Sequence, residues 1–218
     1  ARCNASGLKY IFENEEFDYV IPMDGDGEDR PEEIKLLINK AKEYPNTVIT
    51  ANRVKRSEGL IFRASYLIHK FITFLFTGHS VKFGNYTCLP KSIIAQMVGE
   101  AATWSSFSGS LCKVTKDRKF IPSIRGTRYF GPSKMSYFNL LKHSLLIISI
   151  FKTTLLVRSL IFLIIYFFLI SQHISIITLI PVFLLFILSF SVLTLSSHQN
   201  LSEFNDSLEN IDNIETLK

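Results

Sequence analysis

The chain has 218 residues, enough for one domain and an appendage, and 47% of them are hydrophobic. Its mean hydropathy of +0.23 is high for a soluble domain, and the apolar excess sits after Leu140. The net charge of +5 gathers between Arg118 and Arg158. It favours an anionic membrane face or phosphate ligands over nucleic acid, whose aromatic-plus-basic reader modules are not apparent.

Cys3, Cys88 and Cys112 form no CxxC pair, so neither a disulfide frame nor a zinc site is expected, and a reducing compartment fits. The first residue is Ala1 and the opening residues read as the inside of a domain, so a further N-terminal part is expected upstream. Within residues 1–17 an apolar stripe of Ala5, Leu8, Ile11 and Phe12 predicts a helix. A short strand is predicted over 19–23. Asp24, Asp26 and Glu28 follow at alternate positions, with Gly25 and Gly27 between them letting a ligand approach the backbone closely. Pro31-Glu32-Glu33 is a helix start, with proline first and acids in the opening turn. That helix turns Ile34, Leu37, Ile38 and Ala41 inward and ends near Tyr44-Pro45-Asn46. Thr47 to Ala51 is a second strand, closed by Asn52-Arg53. Strand, helix and strand in about thirty residues make a βαβ unit, which predicts a parallel sheet and a right-handed crossover.

Residues 54–59 read as a polar loop. Leu60 to Thr77 reads as an apolar helix carrying Arg63, His69 and Lys70, with Gly78 as its C-cap. Val81 to Leu89 is extended, interrupted by Gly84-Asn85. Pro90 opens a helix to about Val98, and Trp104 to Val114 reads as another. Phe120 to Ile124 is a short strand leading into a basic loop, Arg125 to Lys134. Residues 135–157 mix aromatic, apolar and basic side chains, as in a helix lying in a membrane interface. Ser159 to Ile170 is uninterruptedly apolar. With Arg158 snorkelling it is long enough to span a bilayer. After the polar break Ser171-Gln172-His173, Ile174 to Leu195 gives a second span, with Pro181 as its kink. A transmembrane hairpin over 158–197 follows. Basic residues at 134, 142, 152 and 158 place the preceding domain on the cytoplasmic side, and the acidic tail 198–218 returns there. The tail reads as a loose surface helix or as disordered.

The acidic triplet has two readings. On a strand-to-helix loop at the carboxyl end of a parallel strand, it lies where α/β sheets bind ligands. Hard oxygen donors at this spacing suit Mg²⁺ or Mn²⁺ held with phosphate. Equally, acids before a helix N-terminus are favoured by the helix dipole alone.

Four pieces, in order, resemble the family 2 glycosyltransferases that act on polyprenyl phosphates, the dolichol-phosphate mannose synthase group and its bacterial relatives. Met23-Asp24-Gly25-Asp26-Gly27-Glu28-Asp29-Arg30-Pro31-Glu32 is similar to the family's MDADLQDPPE segment. Asn52-Arg53 resembles the arginine ending the next strand. Phe83-Gly84-Asn85-Tyr86 resembles its G-(D/N)-(F/Y) segment. Arg125-x-x-Arg128-x-x-Gly131-x-Ser133-Lys134 resembles its R-x-x-R-x-x-G-x-S-K signature. The resemblance covers about residues 1–197. It implies an α/β fold: residues 1–134 as the C-terminal part of a GT-A domain (Rossmann-like, mostly parallel sheet), then the interfacial helix and the two-helix hairpin. It implies a membrane-bound hexosyltransferase moving a sugar from a nucleotide-sugar donor to an undecaprenyl- or dolichyl-type phosphate. Asp24 and Asp26 would be catalytic, holding Mg²⁺ or Mn²⁺ together with Glu28, which stands where the family has Gln. Arg53, Arg63, Arg128, Ser133 and Lys134 would bind donor and acceptor phosphates. The family's base pocket would lie upstream of Ala1, so residues 1–218 alone are expected to be inactive. Helix pairs of this kind also support a homo-oligomer. Two other functions compete. One is phosphoryl transfer through an Asp-x-Asp nucleophile, which lacks its further acidic and lysine motifs. The other is a non-catalytic, membrane-anchored scaffold with a degenerate transferase domain.

Overall fold

The computed structural model describes residues 1–53, 70–81, 83–131 and 137–210. In chain order the elements are α1 (Arg2–Asn14), β1 (Tyr19–Val20), a 3₁₀ turn (Pro31–Glu33), α2 (Ile34–Glu43), β2 (Val48–Arg53), α3 (70–77), β3 (Phe83–Pro90), α4 (Lys91–Val98), α5 (Ala102–Ser105), α6 (Phe107–Val114), β4 (Arg118–Ser123), α7 (Tyr137–Ile150), α8 (Lys152–Ile170), α9 (Ile176–Ser196), α10 (Leu201–Asn205) and a final 3₁₀ turn (Asp206–Asn210). They form two compact units. One comprises Ala1–Ser57, Val81–Lys134 and Gln199–Lys218; the other comprises Glu58–Ser80 and Met135–His198. The predicted loop 54–59, Arg63, His69, Ser133, Lys134 and the end of the acidic tail lie outside the described residues.

The first unit is an α/β structure on a four-stranded mixed sheet of order β1-β3-β2-β4. β2 and β4 are parallel, from Val48 opposite Arg118 to Arg53 opposite Ser123. β3 is antiparallel to both β1 and β2. The expected parallel βαβ unit is therefore realised only in direction. β1 and β2 run the same way, but β3 lies between them. Burial explains the order: β2 and β3 carry long buried runs, while β1 has only two half-buried residues. The predicted strand 19–23 accordingly stops at Val20. Nor does Gly84-Asn85 break β3. The strand runs through, and the ladder is irregular there: Thr50 pairs with Thr87 but Asn52 pairs with Phe83, so extra β3 residues bulge out.

Alternation along β2 sends Val48 to one face and Ile49 and Ala51 to the other. Leu37 and Ala41 of α2 cover the second face, packing with Ile49, Ala51, Tyr86, Cys88 and Ile121. Ile38, predicted inward, is exposed, because the buried positions i and i+4 fall on Leu37 and Ala41. On the first face Leu8, Ile93, Ile94, Met97, Phe107 and Leu111 pack with Val48 and Leu89. The helix expected from Trp104 is two helices. Ser106 is extended and its hydroxyl accepts from Gly109 N–H at 3.3 Å, capping α6.

Over 201–210 the tail is a short helix and a 3₁₀ turn, as the helical reading expects, but it is held down rather than loose. Phe204 is fully buried with Ala5 and Trp104. Trp104 Nε1 donates to Glu203 at 2.9 Å, and Arg2 pairs with Glu203 at 2.9 Å. One aromatic among polar neighbours fastens the segment.

In the second unit, α8 and α9 have 19 and 21 residues with mean hydropathies of 2.3 and 2.8, and 11% of each span is buried. At 1.5 Å rise per residue they are about 28 and 32 Å long, matching a bilayer core of about 30 Å. Helix breaks fall at Phe151 and at 171–175, so the first apolar helix starts at Lys152 rather than 158. Ile148, Leu155 and Val192 pack with Ile72, Phe76, Leu145 and Leu188. Arg158 does more than snorkel: its guanidinium donates to Phe74 O at 3.2 Å and Leu75 O at 2.6 Å, satisfying carbonyls at the end of α3. Gly78 N–H closes that helix on Phe74 O at 2.8 Å.

Candidate functional site

The acidic turn and the arginine loop, about a hundred residues apart in sequence, meet. The turn follows β1 and the loop follows β4. Two backbone bonds join them: Gly126 N–H to Glu28 O at 2.9 Å, and Tyr129 N–H to Asp26 O at 3.0 Å. A third tie comes from α2's entry turn, where Glu33 Oε1 accepts from Ile124 N–H at 2.9 Å. The approach needs two glycines. A Cβ at 126 would collide with the Gly27 carbonyl oxygen, and Gly27 has φ +87° with the Tyr129 ring 2.8 Å from where its Cβ would be.

Charge completes the seam. Arg128 Nε donates to Glu28 Oε1 at 2.7 Å, and its terminal nitrogen pairs with Asp26 Oδ2 at 3.1 Å. Arg125 pairs with the other Glu28 oxygen. Asp26 Oδ1 accepts from Glu28 N–H at 3.0 Å, a local turn bond. Glu28 is thus gripped by two arginines, Asp26 by one, and Asp24 is exposed. Partial burial and the like charge of Arg128 lower the Arg125 pKa, while Asp26 and Asp24 oppose this.

A second tier lies beneath. Asp29 is buried and its Oδ2 accepts from Asp24 N–H at 3.0 Å. Burial raises its pKa, the Asp24 N–H bond pulls it down, Asp24's charge raises it, Arg53 lowers it and Asp26 raises it. Arg53, exposed at the end of β2, therefore lies within electrostatic reach of this tier. Tyr86 is buried and its hydroxyl donates to Arg30 O at 2.6 Å. Burial, then Glu33, Asp29 and Glu32, push its pKa up to about 12.

Of the expected site residues, Asp24, Asp26, Glu28 and Arg128 come together, with Arg53 nearby. Arg63, Ser133 and Lys134 lie outside the described residues. Sequence reasoning misses Arg125, Asp29 and Glu33 as site residues. Arg125 stands in the quoted basic signature and is the easiest of the three to find. Asp29 and Glu33 read as ordinary acids near a helix start. Among the described residues no group of three or more His, Cys, Asp or Glu is gathered to hold a metal ion. What the turn offers is a pair of hard carboxylates, Asp24 and Asp26, with guanidinium groups beside them. No family model matches the chain, and no curated protein matches it.

Proposed function

We propose that the chain belongs to a membrane-anchored glycosyltransferase that moves a sugar from a nucleotide-sugar donor to a polyprenyl phosphate. The observation that carries the reading is the Arg128–Asp26–Glu28 seam. It joins the two sequence segments that resemble the transferase family, in a unit whose chain continues into two apolar helices of membrane-spanning length. Asp24 and Asp26 fit a site in which one or two protein carboxylates share Mg²⁺ or Mn²⁺ with phosphate oxygens. Such an ion supplies Lewis-acid neutralisation of the departing diphosphate. Glu28 would join only by exchanging an arginine. Arg128 and Arg125, released from carboxylates, bind phosphate oxygens bidentately, and Arg53 adds positive charge at the strand end. A lipid phosphomonoester, with its second pKa near 6, is mostly dianionic at pH 7 and attacks without a strong general base. The tail's return to the first unit after the two spans fits an even number of crossings, with that unit cytoplasmic by the positive-inside rule.

The test is transfer itself. The protein as the cell makes it, in native membranes with Mn²⁺, labelled nucleotide sugars and polyprenyl phosphate, should yield labelled lipid. Folded protein that transfers from no donor overturns the proposal. A non-catalytic scaffold is the second reading, favoured by the neutralisation of Glu28 by two arginines. It predicts no transfer and membrane retention of a partner.

A further inference from the structure

The second unit holds a cavity with a charge on its wall that the unit only half answers. The cavity, about 580 Å³, opens between α3, α8 and α9, within the ~300–1,000 Å³ usual for small-molecule sites. Leu75 and Phe76 of α3, Phe162 of α8, and Leu184 and Leu188 of α9 help to line it. Among the described residues Arg158 is its one polar side chain. Leu75, Phe162 and Leu184 are exposed, so the cavity is a groove open to whatever surrounds the two long apolar helices.

Arg158 stands six residues into α8, about 9 Å along the axis from Lys152. A guanidinium at that depth in a bilayer pairs with an anion or reaches for the interface. Its Nη1 donates to Phe74 O at 3.2 Å and Leu75 O at 2.6 Å. These carbonyls end a helix, whose C-terminus carries only about half an elementary charge. Nε and Nη2, the edge that grips a phosphate bidentately, have no acceptor among the described residues. Gly78 makes room beside that edge, since a Cβ there would lie 3.1 Å from Nη2. The charges of the unit are one-sided. Glu58–Ser80 and Met135–His198 contain five Lys and Arg and one acid, Glu58, which lies outside the described residues.

Three features choose the missing anion. It borders an apolar groove, so it carries a hydrocarbon chain. Its charge is −1, because one guanidinium already shared with a helix C-terminus has nothing left for the second charge of a phosphomonoester. It bears no ammonium group, because the described part of the unit has no carboxylate to meet one. We propose that the groove binds an anionic phospholipid of the phosphatidylglycerol type. The phosphodiester sits on Nε and Nη2 of Arg158, one acyl chain lies along Phe162, Leu184 and Leu188, and the lipid joins α3 to the α8–α9 pair. Basic pockets between spanning helices hold such headgroups on the cytoplasmic side, where the positive-inside rule puts the Lys152 end of α8. The inference rests on α8 and α9 crossing a membrane and not on sugar transfer, so either can fail alone.

The test is native mass spectrometry of the whole protein released from detergent micelles, titrated with phosphatidylglycerol, phosphatidylcholine or a polyprenyl phosphate. One phosphatidylglycerol per chain should be retained, about tenfold or more tightly than phosphatidylcholine. Arg158→Gln keeps a donor for the α3 carbonyls; it should lower phosphatidylglycerol affinity about tenfold and leave phosphatidylcholine unchanged. Leu184 is exposed, so Leu184→Trp fills the groove without disturbing the packing around it. It should weaken the same adduct with Arg158 intact. Equal retention of the two phospholipids, or an adduct that survives either substitution in folded protein, overturns the proposal. So does polyprenyl phosphate displacing phosphatidylglycerol at equal concentration, which gives the groove to a phosphomonoester. A lipid-free dimer overturns it too, giving the groove to a second copy of the chain.

Discussion

Removing Arg128 tests whether the two loops are held as one body. Its guanidinium makes charge-assisted contacts of 2.7 Å to Glu28 and 3.1 Å to Asp26. The Arg128 side chain is 26% exposed, Glu28 11% and Asp26 32%, between the surface regime and the buried one. Exposed pairs contribute about 0–1 kcal/mol, and breaking a fully buried pair costs about 3–5 kcal/mol. We therefore expect Arg128→Ala to cost about 1–2 kcal/mol, a fall of roughly 3–6 °C in unfolding midpoint for a chain of this size. The readout is built in: Cys88 and Cys112 are buried and Cys3 is exposed, so in a Cys3→Ser background a thiol-reactive dye reports unfolding. A double-mutant cycle with Glu28→Gln should then give a coupling of about 1 kcal/mol, since the amide keeps shape and loses charge. If Arg128→Ala costs the same in the Glu28→Gln background as in the wild type, the pair is a surface contact and the reasoning is refuted.

Three further outcomes follow from the same geometry. Gly126→Ala should destabilise by about 1–3 kcal/mol, because the new methyl meets a backbone carbonyl that cannot step aside; an unchanged midpoint in the thiol assay would mean the loops are not in contact. Phe204→Ala should cost about 3–5 kcal/mol and open the 201–210 segment to protease, whereas a mobile tail would be cut equally in both proteins. Asp29→Asn should flatten the stability profile in mild acid. Asp29's pKa is raised on folding, so the folded state binds more protons between 3.8 and its raised value, and wild-type stability falls as pH rises through that window. The variant lacks this fall while the new amide oxygen still accepts from Asp24 N–H; an identical profile would place Asp29 in water.

Much of the first unit is legible in the sequence because its signals are local. Proline at 31 and 90 marks helix entries, and the apolar run along 48–51 marks a strand buried on both faces. The β1-β3-β2 order is not legible, since adjacency depends on which strands bury most, a comparison across the whole sheet. Asp24 and Asp26 stand out through residue type and spacing as either a metal site or an acidic turn, and Arg128 only through the resemblance of its segment to the transferase signature. The use of Arg125 does not, because which arginine meets Glu28 depends on two glycine-enabled backbone approaches. Glu33 reads as a dipole-favoured acid, and only the approach of β4's end reveals that it holds Ile124. The tail misleads because its acids suggest solvent, while a single Phe204 supplies the burial.

The central claim is that the acidic turn and the arginine loop act as one site for a metal-bound diphosphate. Mn²⁺ uptake followed by electron paramagnetic resonance, with and without a nucleoside diphosphate, tests it without relying on turnover. Diphosphate should tighten Mn²⁺ binding in the wild type, Asp26→Ala should abolish binding, and Arg128→Ala should weaken the diphosphate enhancement about tenfold or more, as expected for loss of charge-assisted hydrogen bonds. Equal Mn²⁺ uptake in wild type and Asp26→Ala, indifferent to diphosphate, would contradict it.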